Sequence, residues 1–310
     1  MSAGTALITG VTGFLGRYTA RHFVKEGWTV FGTGTRTPEN APQELLSGYE
    51  PLVMPSPAVE AMLARVKPDV CVHCAGRASV ALSLEDPEAD FRTGVVATFE
   101  LLNALRRQAP ACRFIFVSSA AVYGNPVVLP VGESARLSPI SPYGFHKALS
   151  EALCAEFFKV YRQPAAIARI FSAYGPGLRR QVVWDICRKV LSGGEVKLRG
   201  TGRESRDFIH GQDIARAFYL IATAGRCESE QYNVACGVET SISELAQLVL
   251  RQAGREARIE FDGHASAGDP LNWRADITRL AALGFRPQVA LEDGVAQMVH
   301  WVREQFGAGL

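Results

Sequence analysis

The chain contains no apolar run that approaches the roughly 18–20 residues needed to cross a bilayer. It also lacks a basic leader with a cleavage-site pattern, because it enters a strand-like run at Thr5 almost at once. Neither sign of charge is in large excess, because 33 basic and 31 acidic residues leave a formal net charge of +2. These absences predict a cytoplasmic protein with neither a membrane nor nucleic acid as a partner.

Cysteines are few and scattered, seven in 310 residues, and an odd count of this kind suits a protein without disulfides. Cys71 and Cys74 form a C-x-x-C within PDVCVHCAG, but the second ligand pair that a zinc site needs is absent. A redox pair belongs at a helix N-terminus, whereas this segment has the pattern of a buried strand. We therefore expect two buried strand residues here and no metal.

Long linkers, internal repeats and low-complexity segments are absent too. Short apolar runs instead alternate with amphipathic stretches through the first half of the chain. Runs without polar alternation, separated by helices, predict a parallel sheet covered on both faces. The predicted fold class is α/β, a doubly wound parallel (Rossmann) sheet with a smaller C-terminal substrate-binding lobe. Its ligand belongs at the carboxyl ends of the strands.

The predicted strands are 6–9, 29–32, 70–74, 113–118, 165–170 and 231–234. The predicted helices are 16–26, 59–66, 90–107, 144–161, 211–223, 242–253 and 291–306. We expect residues 1–170 to form the dinucleotide-binding domain, with a returning segment at about 209–236. Residues 171–208 and 237–310 would then form the substrate-binding lobe.

The segment TGVTGFLG lies where the first strand ends and the first helix begins. Gly10 permits a tight turn, Gly13 lets the backbone approach a pyrophosphate, and Gly16 lets the helix pack close to the sheet. The helix N-terminus then offers free N–H groups to the phosphates. The expected cofactor contacts in this loop and at other strand ends are Gly10, Thr12, Gly13, Phe14, Leu15, Gly16, Ala75, Ser118 and Ile170.

The second strand ends in VFGTGTR and carries no acid for a ribose 2′-hydroxyl. Gly34 stands at that point, and Arg36 comes two residues later. A guanidinium binds a 2′-phosphate that a carboxylate would repel. The sequence therefore favours NADP as the cofactor, with NAD as the alternative.

Two motifs supply the candidate catalytic groups. In SPYGFHK, Tyr143 and Lys147 are four residues apart and share one helix face. In VSSAAVYG, Ser119 comes directly after the fourth predicted strand, at its carboxyl end and over the expected nicotinamide. A neighbouring cation lowers a phenol's pKa from near 10 and so makes Tyr143 a usable acid and base. His146, inside the pair, has no obvious partner in the sequence.

In their order along the chain, TGVTGFLG, VSSAAVYG, SPYGFHK and RDFIH resemble the extended short-chain dehydrogenase/reductase family, in its nucleotide-sugar branch. The resemblance covers nearly the whole chain. It implies that Tyr143 is the acid and base, that Lys147 is its partner and the ligand of the nicotinamide ribose, and that Ser119 orients the substrate. It also implies a homodimer formed by the helices at 90–107 and 144–161.

The two residues after Ser119 reduce the number of reactions that the resemblance allows. The dehydratases of this family carry an acidic pair there, the decarboxylases a glutamate and the GDP-fucose-forming enzymes a cysteine, whereas this chain has Ala120 and Ala121. The start of the chain resembles GDP-4-keto-6-deoxy-mannose reductases most. We therefore expect NADPH-dependent reduction of the 4-keto group of a nucleotide-linked hexose. The alternatives are an NAD(P)-dependent 4-epimerase and, outside catalysis, a dinucleotide sensor.

The expected substrate is a nucleotide-diphosphate sugar, and its diphosphate needs cationic partners. The resemblance assigns Arg206, in SRDFIH, to the diphosphate. Arg179, or the adjacent Arg180, is expected to contribute as well, and Ser79 either contacts the sugar or caps a helix. Three positions depart from the family pattern. They are Ser172 and Gly94, where asparagine is usual, and the segment before Gly268–Asp269, which lacks the usual arginine.

Overall fold

A seven-stranded parallel sheet is the centre of the molecule, which we describe from a computed structural model. The structure describes residues 3–264 and 271–306. The strand order is β11-β6-β5-β4-β1-β2-β3, so the chain winds outward from β1 in one direction and then from β4 in the other. The crevice between the carboxyl ends of β1 and β4 is the place where such a sheet binds its ligand.

The strands are β1 (Thr5–Thr9), β2 (Thr29–Gly34), β3 (Gly48–Pro51), β4 (Val70–His73), β5 (Arg113–Ser119), β6 (Ala165–Ile170), β7 (Ser172–Tyr174), β8 (Val196–Leu198), β9 (Ser205–Arg206), β10 (Phe208–His210), β11 (Glu228–Val234), β12 (Thr240–Ser241) and β13 (Ile259–Phe261). The α-helices are α1 (Phe14–Lys25), α2 (Ala58–Val66), α3 (Val80–Glu85), α4 (Pro87–Phe91), α5 (Ala97–Gln108), α6 (Pro142–Tyr161), α7 (Gln181–Ser192), α8 (Gly211–Ala224), α9 (Ile242–Ala253), α10 (Thr278–Ala281) and α11 (Leu291–Phe306).

Both faces of the sheet are buried, as the apolar strand pattern predicts. Along β1, Ala6 and Ile8 face one core, to which α1 and α8 contribute Phe23 and Phe218. Leu7 faces the opposite core, which also holds apolar side chains of α2, α5 and α6. Successive strand residues point to opposite faces, so a strand buried on both sides needs an unbroken apolar run.

The helix predicted at 90–107 is interrupted. Between α4 and α5 the backbone forms a wider π turn over Arg92–Val96. The Thr93 hydroxyl donates to the Ala89 carbonyl at 2.7 Å, and the Thr98 hydroxyl donates to the Gly94 carbonyl at 2.6 Å. In both cases a side-chain hydroxyl binds a backbone carbonyl of the helix. The two bonds lie on either side of Gly94, and glycine is the weakest helix former after proline. The sequence prediction also missed β3, which is only four residues long.

The substrate lobe has a separate core of apolar side chains from α7, α9 and α11. Asp207 lies where this lobe meets the sheet. Its buried carboxylate accepts backbone N–H bonds from Cys236, Gly237 and Ala275 at 2.8–3.1 Å. We propose the two-lobe division expected from the sequence, because α8 packs on α1 and β11 extends the sheet beside β6. No helix among the described residues is long and apolar enough to span a membrane.

Candidate active site

The loop between β1 and α1 leaves no room for larger residues at two of its glycines. Gly10 has φ +66°, and a Cβ there would lie 2.8 Å from the Ala75 nitrogen. A Cβ on Gly16 would lie 2.6 Å from the Cα of Val11. The loop is therefore drawn tightly against the ends of β1 and β4, which is the geometry of a pyrophosphate-binding turn.

The N-terminus of α1 is open to a ligand. Its N-cap, Gly13, makes no side-chain capping bond, so the first helical N–H groups and the positive dipole end face the cleft. Below it lies a cleft of about 1050 Å³. Its lining includes these predicted cofactor contacts: Gly10, Gly13, Phe14, Leu15, Gly16, Ala75, Ser118, Tyr143, Lys147 and Ile170. The tight turn, the uncapped helix and the cleft together fit a dinucleotide.

Two predicted cofactor residues, Thr12 and Arg36, lie outside the lining of this cleft. The Thr12 side chain instead packs at the end of β2, where a Cβ on Gly34 would lie 2.9 Å from its hydroxyl oxygen. Arg36 is exposed, and its carbonyl accepts a hydrogen bond from the Tyr49 hydroxyl at 2.6 Å. Gly34 is thus closed to an acidic side chain by packing.

The catalytic candidates meet where β5 ends and α6 begins. Helix α6 begins after Ser141, whose hydroxyl accepts the Gly144 N–H at 3.3 Å, with Pro142 in its first position. The Tyr143 hydroxyl is hydrogen-bonded to Ser119. The Lys147 ammonium donates to the Val117 carbonyl at 2.7 Å and lies 5.8 Å from the centroid of the Tyr143 ring. The three predicted side chains therefore come together in the cleft.

Their protonation differs from the sequence expectation. Burial raises the pKa of the Tyr143 phenol above its ordinary value, while the hydrogen bond from Ser119 and the charge of Arg180 act in the opposite direction. Burial also lowers the pKa of Lys147 to about 8. The prediction that Lys147 lowers the phenol pKa is thus not met in this state of the protein, because desolvation outweighs the nearby positive charges.

Arg180, and not Arg179, faces the cleft. Arg180 lines it and donates to the Ala78 carbonyl, which lies in the loop after β4. Arg179 points away, stacks over Trp301 of α11 at 5.8 Å and donates to Gln305 at 2.6 Å. Both residues precede α7, and at its N-cap, Arg180, the backbone is extended, so adjacent side chains point in opposite directions and only one of them lines the cleft. Of the two arginines that the sequence offered, Arg180 and not Arg179 has this position.

The remaining substrate candidates line the same cleft. Arg206 donates to the carbonyls of Ser205 and Leu271 at 2.8 and 3.2 Å and stacks over Trp273 at 5.7 Å. Ser79 caps α3, because its hydroxyl accepts the Leu82 N–H at 3.3 Å. Trp273 was not identified from the sequence.

The positions that depart from the family pattern have different surroundings. Ser172 lines the cleft at the start of β7, so its shorter side chain leaves space there. Gly94 lies in the π turn, and a Cβ added to it would meet no atom within 4 Å. Gly268 and Asp269 lie outside the described residues.

The cysteines in C-x-x-C do not form a reactive or metal-binding site. Cys71 and Cys74 are free, and burial raises the pKa of the Cys74 thiol to about 12, so neither is a reactive thiolate. Among the described residues no cluster of three potential ligands could hold a metal ion.

His146 does have a partner: its Nδ1 lies 2.6 Å from a carboxylate oxygen of the buried Asp90. The sequence could not reveal this pair, because 56 positions separate the two residues.

Comparison with known proteins agrees with this geometry. The profile of the NAD dependent epimerase/dehydratase family matches residues 6–235. The UDP-glucose 4-epimerase of Mycolicibacterium smegmatis is 30% identical over 96% of this chain and 98% of its own. The UDP-glucuronate 4-epimerase of Thermodesulfobacterium geofontis is 26% identical over 98% and 97%. The solved Thermus thermophilus UDP-glucose 4-epimerase in complex with NAD is 26% identical, with a TM-score of 0.87 over 96% of this chain and 99% of that one.

The match to the family profile extends from β1 to the residue after β11 and so includes the glycine loop, Ser119, Tyr143 and Lys147. The resemblance noted in the sequence and the Rossmann sheet are therefore both confirmed. The chain belongs to the NAD dependent epimerase/dehydratase family, within the nucleotide-sugar branch of the extended short-chain dehydrogenases/reductases, and it is an enzyme of that type.

Proposed function

We propose that the chain is an NAD-dependent 4-epimerase of a UDP-linked hexose. The observation that carries this proposal is the convergence of Ser119, Tyr143 and Lys147 in one cleft with the glycine loop, while Ala120 and Ala121 come directly after the serine. Methyl groups cannot transfer the protons that dehydration needs. Inversion at C4 needs a single acid and base together with a hydride carrier. The relatives favour this reaction over the reduction that the sequence favoured.

The bound dinucleotide would take a hydride from C4 of the sugar and return it to that carbon. Tyr143 removes the proton from the 4-hydroxyl and gives it back after the sugar has turned over in the cleft. Ser119, already hydrogen-bonded to Tyr143, holds the same sugar oxygen. Lys147 stabilises the negative charge on the phenolate, which is the form that accepts the proton.

Several cationic residues support a nucleoside diphosphate as the substrate class. Arg180, Arg188, Arg199 and Arg206 line the cleft on the side of the substrate lobe. A diphosphate carries concentrated negative charge, and arginine binds it through two parallel N–H bonds. We assign the diphosphate to Arg206, since it already stacks on Trp273 at 5.7 Å with its guanidinium at the cleft.

The choice between NAD and NADP depends on the residues at the end of β2. We infer that the site binds NAD, the cofactor of the family, and that Arg36 extends binding to the 2′-phosphate of NADP. Packing around Gly34 keeps an acid from that position, so nothing there repels a phosphate. NADP binding also keeps the 4-ketoreductase as the second candidate function, because a reductase needs exchangeable NADPH.

We also propose a homodimer. Helices α4, α5 and α6 expose a row of apolar side chains: Phe91, Phe99, Phe145, Leu149, Val160 and Tyr161. Ring contacts link this row, from Phe91 with His146 at 5.4 Å to Phe99 with Phe157 at 5.8 Å and Phe157 with Tyr161 at 5.3 Å. A contiguous apolar face on paired helices is typical of an interface between subunits.

The deciding experiment starts with purified protein. The dinucleotide released on denaturation is identified by mass spectrometry, and the protein is then incubated with UDP-glucose or UDP-glucuronate. We expect retained NAD and formation of the 4-epimer without net change in absorbance at 340 nm. Tyr143→Phe is the matched control. Stoichiometric NADPH consumption with a 4-keto sugar, without epimer formation from either substrate, would replace the epimerase with the reductase.

A further inference from the structure

Three neighbouring residues of β5 each contact α6. The Ser119 side chain bonds Tyr143, and the Val117 carbonyl accepts from Lys147 at 2.7 Å. Between them, the Ser118 hydroxyl donates to Glu151 at 2.6 Å. Tyr143, Lys147 and Glu151 are spaced by four and therefore share one face of the helix. The catalytic Tyr–Lys pair is thus part of a longer row that ends in a carboxylate.

Glu151 is held by more than this serine. It is 5% exposed, and its two oxygens accept bonds from Arg169 Nε at 3.0 Å and Nη2 at 2.7 Å. Arg169, 3% exposed, lies on β6 directly opposite Ser118 in the sheet register. A buried carboxylate is stable only when partners of this kind compensate its desolvation.

Arg169 also has buried hydrogen-bond partners beyond Glu151. Arg169 Nη1 donates to the Tyr123 hydroxyl at 2.8 Å and to the Glu133 carbonyl at 2.9 Å. Tyr123 in turn donates to Asn233 of β11 at 2.7 Å. One buried network therefore joins α6 to three adjacent strands, β5, β6 and β11. It ties the helix that carries Tyr143 and Lys147 to the strand that carries Ser119.

We propose that Glu151 is a positioning residue of the active site, which fixes α6 on β5 and supplies a second buried negative charge, besides that of Asp90, one helical turn from Lys147. The carboxylate touches neither the sugar nor the dinucleotide in this role. It acts through Ser118 on the end of β5 and through its charge on Lys147. The Tyr-x-x-x-Lys pair of this chain is accordingly followed, four residues later, by a positioning glutamate.

The effect of Glu151 on the pKa of Lys147 depends on the other groups that face the ammonium. Asp90 of α4 and Glu151 are the facing carboxylates, and both favour the charged ammonium. The thiols of Cys74 and Cys154 face it too, as do Tyr143 and His73 of β4, and burial keeps all four neutral. Removal of the Glu151 charge leaves Asp90 alone against the desolvation of Lys147. The ammonium then loses its proton at lower pH.

Glu151→Gln tests this in the cofactor-free protein. The pH dependence of Lys147 acetylation by trace acetic anhydride, read by peptide mass spectrometry, reports the protonation of that one side chain. We expect the midpoint to fall by roughly one pH unit. The matched control is Asp213→Asn, which neutralises another buried carboxylate paired with an arginine, on α8. It should leave the Lys147 midpoint unchanged.

The double variant Glu151→Gln/Arg169→Gln keeps the experiment decisive if the single variant does not fold, because it leaves no buried charge unpaired. It too should show the lowered midpoint. A wild-type midpoint in a folded variant of either kind overturns the proposal.

A kinetic measurement, which rests on the proposed function, complements the labelling. In Glu151→Gln we expect kcat to fall at least tenfold with little change in KM, and the alkaline limb of the pH profile to move to lower pH. A purely structural residue would lower the melting temperature without moving that limb. A kcat within twofold of wild type and an unmoved limb contradict the positioning role. The acetylation experiment needs no turnover. Its result therefore still tests the role of Glu151 if the protein turns out not to be an epimerase.

Discussion

Tyr143 and Lys147 occupy the same cleft, and burial disfavours the charged form of each. The phenol pKa is raised, and that of the ammonium is lowered to about 8. A phenolate forms beside Lys147 only while the ammonium keeps its proton, so the useful pH range closes as pH rises through about 8. Arg180 adds a second positive charge near the phenol. Motif spacing alone does not reveal how these opposing effects balance.

Tyr143→Phe removes the proton carrier and keeps the ring. We expect turnover to fall by about 10²–10⁴-fold, the usual contribution of a positioned acid or base. Dinucleotide affinity should stay within about threefold, because the glycine loop is untouched. Steady-state kinetics and fluorescence titration with NADH measure the two effects. Turnover at the wild-type rate would remove Tyr143 from the mechanism.

Arg36→Ala tests the reading of the 2′-phosphate. One charge-assisted contact at an exposed site is worth about 1–2 kcal/mol, which corresponds to roughly 5–30-fold in affinity. We expect that loss for NADP, whereas NAD, which has no phosphate there, should change little. Calorimetric titration with both dinucleotides gives the ratio. Arg17→Ala, on the nearby α1, is the matched control, and equal weakening of both cofactors by Arg36→Ala would contradict this role.

At the scale of elements, two faces of α6 (Pro142–Tyr161) contact different surroundings. On its inner face, the first turn carries the Tyr143 phenol, and Glu151, two turns later, anchors the helix to the sheet through Ser118 and Arg169. Its outer face carries Phe145 and Leu149, which are 54% and 48% exposed. The same helix therefore carries residues of the candidate active site on one face and residues of the proposed subunit interface on the other.

A charge placed on that outer face should separate the subunits. Phe145→Glu/Leu149→Glu puts two carboxylates into an apolar interface, where burial without partners costs several kcal/mol. We expect a monomer by size-exclusion chromatography with light scattering, against a dimer for the wild type. Val127→Glu is the control, since Val127 is 99% exposed and lies outside the patch. A wild-type protein that runs as a monomer contradicts the proposed interface.

At the scale of the whole molecule, two histidines are buried in their neutral form. His73 lies at the end of β4, hydrogen-bonded to Thr9 at 2.8 Å, and His210 ends β10 beside Tyr18 and Tyr174. Burial lowers their pKa to about 3 and about 4. The unfolded chain takes up protons at these sites near pH 6.5, while the native protein does not. The free energy of unfolding therefore falls as pH falls below about 6.5.

The expected loss between pH 7.5 and pH 5.5 is about 1.4 kcal/mol for each histidine. His73→Gln should remove its share of this pH dependence, whatever its effect on stability at a single pH. His300→Gln is the control, because the His300 side chain is 74% exposed. Urea denaturation at the two pH values measures the difference. An identical pH dependence in His73→Gln and wild type would show that His73 is not buried in neutral form.

Much of the architecture could be predicted from the sequence because its signals are local. The apolar runs of β1, β4, β5 and β6, together with the glycine loop, indicate a doubly wound parallel sheet wherever they occur in this order. Helices α9 and α11 have the bounds that their periodicity predicts. The prediction of one helix at 90–107 missed the start at Pro87 and the π turn over Arg92–Val96, where two threonine hydroxyls bond backbone carbonyls.

The sequence by itself therefore determined the α/β fold, the family and the residues that meet at the end of β5, because each depends on spacing within a short segment. Only the tertiary structure decided that Arg180 and not Arg179 faces the cleft, that Glu151 accepts a hydrogen bond from Ser118, and that burial raises the pKa of Tyr143. These features depend on packing between segments far apart in the chain. Packing of that kind sets the desolvation and the charge around each group, and the order of residues alone does not specify it.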